Sequence, residues 1–465
     1  MIITTLSWVA EKINGTLIGN DCDVSNVSTD TRIISEGAIY LALKGPNFNG
    51  HDFVNQAQRA GAKAIIASED ITTSLPVIQV SDTKVALGLL GAAVKASVAP
   101  KTIAITGSSG KTTVKEMCAS ILQGCGSVLA TKGNFNNDIG VPLTLLRLEP
   151  HHDFAVMELG ANHKGEIAYT TELVKPDVAT IVNAAASHLE GFGSVDGVAR
   201  AKSEIFDGLG NNGVAIVNID SEFGDFWLDK VSGKQTLTFS PDQKNAADFT
   251  ATDIEIKDSG CASFTLNTPK GHIAIALTIP GIHNVGNALL AAALTLNVGA
   301  TLADVSAGLS AMNQVDGRLN VKRLNKQLRV LDDTYNANVA SVKAAINTLG
   351  EFSGAKVFIL GDMAELGDES DYYHQHVGEY AKQQGINYLY TMGALSHLAS
   401  ESFGGRHFDN LDSLLASLQD DVVTAHQDIS ILVKGSRSSK MERVVKAIEA
   451  SSFGQCDSNE EQSKC

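Results

Sequence analysis

The amino-acid sequence predicts an α/β protein in three units, the central one a parallel sheet organised around a glycine-rich loop. Three observations carry this. A β-branched run, Thr102 to Thr106, leads into the turn formers Gly107, Ser108, Ser109 and Gly110. Val114, Met117, Cys118, Ile121 and Leu122 then recur at helical spacing. Short apolar runs alternate with helix-like stretches along most of the chain, the pattern of a parallel sheet covered on both faces. The length of 465 residues corresponds to about three domains at about 150 residues each.

The central stretch reads as strand, glycine loop and helix, with Lys111 and Thr112 at the helix start. Backbone N–H groups of such a loop, with the positive end of the helix behind them, hold phosphate. Lys111 is placed to reach β- and γ-phosphates, and the Thr112 hydroxyl suits Mg²⁺. The common P-loop pattern has a further glycine where this chain has Ile105, so the loop is a shortened Gly-x-x-Gly-Lys-Thr. The bland alternative is an ordinary glycine-rich turn with a surface lysine; the strand before it and the helix after it favour a bound nucleotide. The motif alone does not name the reaction.

Composition narrows the class. Hydrophobic residues make up 44% of the chain, enough for sizeable cores, and the formal net charge is −16. That balance argues against general binding to nucleic acid or acidic membranes. The six cysteines, Cys22, Cys118, Cys125, Cys261, Cys456 and Cys465, are scattered without a Cys-x-x-Cys pair. Reduced thiols in a cytoplasmic protein fit them better than a disulfide framework or a zinc site. The first ten residues lack the basic and apolar regions of a signal peptide, and no run approaches the roughly 18–20 apolar residues of a membrane helix.

Taken in order, residues 1–82 form a first small α/β unit. Its strand candidates are Ala38–Leu43, Ala64–Ala67 and Val77–Val80, with a helix near Phe53–Ala60 and polar loops at Ser28–Arg32 and Lys44–Asp52. A central unit, 83–316, opens with an Ala/Leu-rich helix at 83–100. Its strands are expected at Val128–Ala130, Phe154–Leu159, Val178–Ala184 and Val214–Ile219. Weaker alternation over about 245–280 suggests inserted antiparallel strands. A turn at Gly281 then enters a helix with Asn284 and Asn287 in its first turns, where amides are more often caps than ligand contacts. Met312–Arg318 reads as a linker. The third unit, 317–452, has strands at Leu328–Asp333, Lys356–Gly361, Tyr388–Gly393 and Ile429–Val433. Helices are expected at Val339–Phe352 and His374–Gln384, and the chain carries no Gly-x-Gly-x-x-Gly fingerprint. Residues 453–465 read as a flexible polar tail.

Ligands of parallel sheets sit beyond the carboxyl ends of the strands. Glu158 ends one such strand, and His188 follows another. With Thr112 they could share a divalent metal, Mg²⁺ by ligand chemistry. Lys202, on the helix that follows, is awkward there, because an ammonium repels a metal; its bland reading is an exposed lysine on a polar helix face. Polar residues also follow the third unit's strands: Asp332, Asp333, Tyr335, Asn336 and Asn338; Asp362 and Glu365; Lys434, Ser436 and Arg437.

Several motifs together, in this order, resemble the Mur ligase family. They are Thr106–Thr113, Gly133-Asn-Phe-Asn-Asn-Asp-Ile-Gly-Val-Pro142, Met157–Gly160, His188 with Ala201-Lys202, His283-Asn-Val-Gly-Asn287, Gly317-Arg318 and Asp332-Asp-Thr-Tyr-Asn-Ala-Asn338. They span nearly the whole chain, and the shortened loop is the family's own form. The resemblance implies a central P-loop ATPase domain, a small N-terminal domain that binds a UDP-linked substrate, and a C-terminal Rossmann-like domain that closes over ATP.

It further implies an ATP-dependent amide ligase working through an acyl phosphate. The Gly133–Pro142 stretch, Glu158-Leu-Gly-Ala-Asn-His163, the Asp332–Asn338 stretch and Gly361-Asp-Met-Ala-Glu-Leu-Gly367 resemble the member that joins D-alanyl-D-alanine to a UDP-N-acetylmuramoyl-tripeptide in peptidoglycan synthesis. The Asp-Asn-Pro-Arg of the sister enzyme that adds a diamino acid is absent. By resemblance, Gly107, Ser108, Ser109, Gly110, Lys111, Thr112, Thr113, Asn284, Asn287, Arg318 and Asp333 hold ATP. Thr112, Glu158, His188 and Lys202 hold two Mg²⁺ ions, with Lys202 carbamylated by CO₂, and Lys111, Glu158, His188 and Lys202 form the catalytic set. Thr31, Arg32, Asn134, Asn137, Asn336 and Asn338 hold the other substrates. The implied protein is a cytoplasmic monomer with small-molecule partners, and the alternatives are a ligase for another amino acid, folylpolyglutamate-type included, or a nucleotide-dependent switch.

Overall fold

The computed structural model describes residues 1–242, 244–313, 315–424 and 428–451. The polar tail expected at 453–465, with Cys456 and Cys465, lies outside these residues. The other four cysteines are free thiols.

The central sheet is parallel throughout. Among the described residues its strand order is Val128–Ala130, Phe154–Glu158, Lys101–Thr106, Val178–Ile181, Val214–Asn218 and Gln235–Phe239. Lys101–Thr106 therefore lies between the strands that end at Glu158 and Ile181, with Ile105 level with Glu158 and Thr106 level with Ile181. The chain leaves this strand to one side and later returns on the other, so its carboxyl end opens into the crevice where such sheets bind ligands.

Alternation along Lys101–Thr106 explains the layers. Ile103 and Ile105 pack with Val114, Met117, Cys118 and Ile121 of the loop helix, Lys111–Gln123, and with the helix His283–Leu296. Ala104 faces the other way, into a core shared with Leu90 of the helix Thr83–Val98 and with Leu41 and Ile78 of the first unit. Period-two side chains on a strand make both contacts from one short run. Burial raises the Cys118 thiol pKa, in keeping with an inert core residue.

The first unit holds a sheet in the order Thr16–Ile18, Val77–Gln79, Ala64–Ala67, Ile39–Leu41 and Val27–Ser28. Part of the second polar stretch, expected as a loop, is a small hairpin of Lys44–Gly45 with Phe48–Asn49, followed by a 3₁₀ turn at Gly50–Phe53. The expected inserted strands are an antiparallel sheet of Thr250–Ile256, Cys261–Thr268 and Gly271–Pro280.

The third unit's sheet runs Asn320–Arg323, Leu328–Asp333, Ile429–Lys434, Ala355–Leu360, Tyr388–Thr391 and Arg406–His407. Its first pair is antiparallel and the rest are parallel. Asn320–Arg323 and Arg406–His407 went unanticipated because they are short and charged. Ala186, Leu189, Phe192, Val198 and Ala201 of the central unit share a core with Leu331, Val339, Leu360, Met363 and Leu366 of the third. The segment that carries His188 and Lys202 is thus clamped between the two units.

Candidate active site

The glycine loop is built by close approach. Gly107 lies so near Val182 that a Cβ would sit 2.9 Å from the valine Cβ, and Gly110 adopts the left-handed φ of +77°. A side chain would clash at the first and strain the backbone at the second, so both favour glycine. The segment after Val178–Ile181 braces the loop. Ser108 N–H donates to the Asn183 carbonyl at 3.0 Å, Ser109 N–H donates to Asn183 Oδ1 at 2.9 Å, and Asn183 Nδ2 donates to Ser109 Oγ at 3.0 Å. Ser187 Oγ donates to Ser108 Oγ at 2.9 Å.

Lys111 turns back over the loop, donating from Nζ to the Gly107 carbonyl at 2.7 Å. Burial lowers its pKa; Glu158 opposes that shift, and Arg318 adds to it. Thr112 Oγ1 donates to Glu158 Oε2 at 2.9 Å, and Asn136 Nδ2 donates to Glu158 Oε1 at 2.8 Å. Glu158 is only 2% exposed.

Asn284 and Asn287 do not cap their helix. Asn284 Nδ2 donates to the Pro280 carbonyl at 2.6 Å, and Asn287 Nδ2 donates to Asn284 Oδ1 at 2.8 Å. Both are buried, and Asn287 Oδ1 lies against Gly110. Thr113 is half-buried in the first turn of the loop helix.

The third unit reaches the loop at two points. Arg318 Nη2 donates to Thr112 Oγ1 at 3.1 Å, with its guanidinium over the Tyr335 ring at 4.2 Å. Its buried Nε has no hydrogen-bond partner among the described residues, so a donor is left for a ligand to satisfy. Asn338 caps the helix Val339–Gly350 through Ser341 and donates from Nδ2 to the Ser108 carbonyl at 3.0 Å. Asp333 and Lys434 form a buried pair at 2.5 Å, and Lys434 also donates to the Asn336 carbonyl at 2.8 Å. Burial pushes the Asp333 carboxyl up and the Lys434 ammonium down, each against the pull of the other.

Lys202 corrects the bland expectation. It lies on the helix Val195–Ser203, capped by Ser194, and is 2% exposed. Burial, with Lys111 nearby, holds its pKa well below 10.5. Among the described residues no hydrogen bond reaches its Nζ, which sits 5.9 Å from the centre of the Phe192 ring. The His188 ring meets the same phenylalanine edge-on at 6.4 Å.

His188 faces the third unit: Nδ1 lies 2.6 Å from Glu365 Oε2, a charge contact outside hydrogen-bonding geometry, while Leu189 N–H donates to the Glu365 carbonyl at 3.0 Å. Among the described residues no three His, Cys, Asp or Glu side chains cluster to hold a metal.

The first-unit residues stand apart. Arg32 forks onto Asp30, with Nε to Oδ1 at 2.9 Å and Nη2 to Oδ2 at 2.6 Å, and its side chain is 82% exposed. The Arg32 guanidinium holds the Asp30 carboxyl down at about 2. Thr31 is half-buried beside it. Asn134 and Asn137 are exposed, and Asn137 Oδ1 accepts from Gly140 N–H at 2.8 Å. Of the Gly133–Pro142 motif it is Asn136, not either of these, that touches Glu158. Asn136, Asn183 and Ser187 were missed; strand-end position marks the latter two, and the motif itself marks the first.

The site thus gathers Lys111, Lys202 and Arg318 around one carboxylate, Glu158, at the mouth of a shortened P-loop. Such an excess of cations calls for anionic ligands. These features define a nucleotide-dependent enzyme whose third unit completes the site. The "Mur ligase family, catalytic domain" model matches residues 23–106, the "Mur ligase middle domain" 105–295 and the "Mur ligase, glutamate ligase domain" 317–437. The chain belongs to the Mur ligase family.

Within it, the chain is 48% identical to the UDP-N-acetylmuramoyl-tripeptide–D-alanyl-D-alanine ligase of Escherichia coli, over 97% of this chain and 99% of that one. It is 44% identical to the ligase of the same name from Haemophilus influenzae, over 96% and 98%. Among solved structures, MurF from Acinetobacter baumannii matches with a TM-score of 0.92 at 37% identity, covering 96% of this chain and 98% of that one. MurF from Thermotoga maritima in complex with ADP matches at 0.81 and 28% identity, covering 92% and 97%.

Proposed function

We propose that this chain joins D-alanyl-D-alanine to a UDP-N-acetylmuramoyl-tripeptide at the expense of ATP, in peptidoglycan synthesis. The observation that carries the chemistry is the meeting of Thr112, Glu158 and Arg318 at the glycine loop. The full-length likeness to ligases of that name supports the choice of substrates. A free carboxylate is a poor acceptor for an amine. The tripeptide's terminal carboxylate therefore attacks the γ-phosphate, releasing ADP and forming an acyl phosphate. The amine of D-alanyl-D-alanine then attacks the acyl carbon, phosphate leaves, and the amine proton is lost. Lys111 and Arg318 bring positive charge to the transferring phosphoryl group. Asn284, Asn287 and Asp333 line the nucleotide side, and Asn336 and Asn338 line the acceptor side. Thr31, Arg32, Asn134 and Asn137 face the UDP-linked substrate, for which Arg32 must part from Asp30. Docking of the third unit keeps water from the acyl phosphate.

The residues fit divalent metal and a carbamate. Thr112 and Glu158 offer adjoining oxygens. Lys202 is a buried amine without a partner; carbamylation turns it from a cation into an oxygen ligand, and His188 adds a nitrogen. Bound Mg²⁺ would supply charge screening between the anions. The chain's division at 82–83 and 316–317, a monomeric state and a cytoplasmic location belong to the same proposal; ATP and UDP-linked precursors are found in the cytoplasm. No described helix is long and apolar enough to cross a membrane.

The test is phosphate release from ATP with Mg²⁺ and UDP-N-acetylmuramoyl-tripeptide, with candidate amines added in turn. D-alanyl-D-alanine alone should drive turnover, with the pentapeptide seen by mass spectrometry. Turnover with a single amino acid instead would reassign the substrate. Equal release without an acceptor would end the ligase reading.

A further inference from the structure

Among the described residues three lysines are no more than 2% exposed: Lys115, Lys202 and Lys434. Lys115 takes no part in the proposed chemistry. It stands one turn after Lys111 on the loop helix and three positions after Thr112, so it shares a helix face with that threonine. Burying a lysine costs stability unless its amine is hydrogen-bonded, and an apolar side chain of similar volume would fill the place at less cost. The bond it makes is specific. Nζ donates to the Thr131 carbonyl at 2.7 Å and lies 2.5 Å from Oε1 of the half-buried Glu116.

Thr131 follows Val128–Ala130, the edge strand of the central sheet, which has a neighbour on one side only. Its N–H donates to the Val156 carbonyl at 3.0 Å, and its Oγ1 accepts from the Glu158 N–H at 3.0 Å. Asn136 fastens the same stretch further on: its carbonyl accepts from Gly160 N–H at 2.8 Å, and its Nδ2 donates to Glu158 Oε1 at 2.8 Å. The segment from Thr131 to Asn136 is thus stitched to Glu158 at both ends, and Lys115 holds the Thr131 end from the helix. We infer that Lys115 is a positioning residue for Glu158: Nζ fixes the Thr131 carbonyl, and Thr131 with Asn136 then aims the Glu158 carboxylate at the Thr112 hydroxyl. One helix carries both halves of the arrangement, Thr112 meeting the carboxylate and Lys115 holding its support. The kinetic consequence rests on the ligase reading above; the structural one does not.

The experiment compares the full chain unaltered and as Lys115→Met, Lys115→Arg, Thr131→Val and the Lys115→Met/Thr131→Val double variant. Hydrogen exchange is read first. In Lys115→Met the Glu158 and Gly160 amides should exchange about 10-fold faster or more, while those of Ile103 and Ile105 on the neighbouring strand stay within about twofold. A merely structural lysine would lower protection across the whole sheet. Turnover with ATP, UDP-N-acetylmuramoyl-tripeptide and D-alanyl-D-alanine is read second. A carboxylate out of aim should cost Lys115→Met about 10- to 100-fold in kcat, while its ADP affinity and KM for ATP stay within about twofold. Lys115→Arg keeps a donor, so it should recover part of the loss, and it serves if the methionine variant folds poorly. Because both residues act through one contact, the double variant should lose no more than the worse single variant. Unchanged exchange at Glu158, a uniform loss of protection, or losses that multiply in the double variant would each overturn the inference. No turnover with D-alanyl-D-alanine in the unaltered protein would overturn the ligase reading instead, and the exchange measurement would still decide on Lys115.

Discussion

Arg318 Nη2 and the Thr112 hydroxyl stand 3.1 Å apart, although 206 residues separate them in the chain. Thr112 also donates to Glu158, so one hydroxyl joins the glycine loop, the neighbouring strand end and the third unit. A side chain that reaches a loop from another unit is present only when the units are docked. Arg318→Ala should therefore lower kcat/KM by about 10²-fold, the scale for losing one donor to developing charge. Arg318→Lys keeps the charge but loses the fork and the Tyr335 stack, so it should recover only part. Steady-state kinetics with ATP varied checks both, and unaltered kinetics in Arg318→Ala would remove the arginine from the site.

Lys202 makes a second prediction. Its amine is buried beside Lys111, so its pKa lies well below 10.5. A depressed pKa means that the neutral form, the one that reacts with CO₂, is populated at lower pH than for an exposed lysine. Turnover should fall in CO₂-depleted buffer and return with bicarbonate. Lys202→Ala should lose at least about 10²-fold in kcat, with partial rescue by short-chain carboxylic acids. Carbon-13 bicarbonate should give a carbamate resonance absent from that variant.

His283 makes a pH prediction for stability. Burial, with Lys434 nearby, lowers its pKa to about 4, below the ordinary histidine value of about 6.5. Between those values the unfolded chain binds the proton and the folded chain does not. The contribution is therefore full above about pH 6.5 and is lost as pH falls towards about 4. Urea midpoints should drop across that window, and His283→Gln should drop less. Equal slopes in the two proteins would refute the assignment.

The Asp333–Lys434 pair makes the fourth. Removing one partner of a buried pair leaves the other charge uncompensated, at a cost of about 3–5 kcal/mol. Asp333→Asn and Lys434→Met should each destabilise strongly, and the double variant should be more stable than the sum of the two predicts. A double-mutant cycle on denaturant unfolding measures that coupling; strict additivity would mean that the two groups do not sense each other.

Much of the architecture could be read locally. The strand Lys101–Thr106 and the helix Lys111–Gln123 follow from a change of hydrophobic period across four turn-forming residues. The buried strands Ala64–Ala67, Phe154–Glu158 and Leu328–Asp333 are short apolar runs bounded by polar or turn residues. Local propensity and pattern agree at these places, so neighbours in sequence suffice. The same rule fails for Asn320–Arg323, whose residues alternate only weakly and whose pairing with Leu328–Asp333 supplies the order.

The loop, the strand ends that carry Glu158 and Asp333 and, through ordered motifs, the family are all legible in the order of residues along the chain. These properties depend on residues close together in the chain or on their order along it. That Lys202 is buried rather than solvated follows from the packing of the folded chain, because its helix is clamped between two units and its surroundings come from distant segments. That packing alone chose Asn136 over Asn134 and Asn137 as the amide on Glu158, and it alone set Glu365 against His188. Such pairings span 22 to 177 residues of chain. They exist because packed cores bring strand ends together, and no local pattern encodes which side chains then face each other.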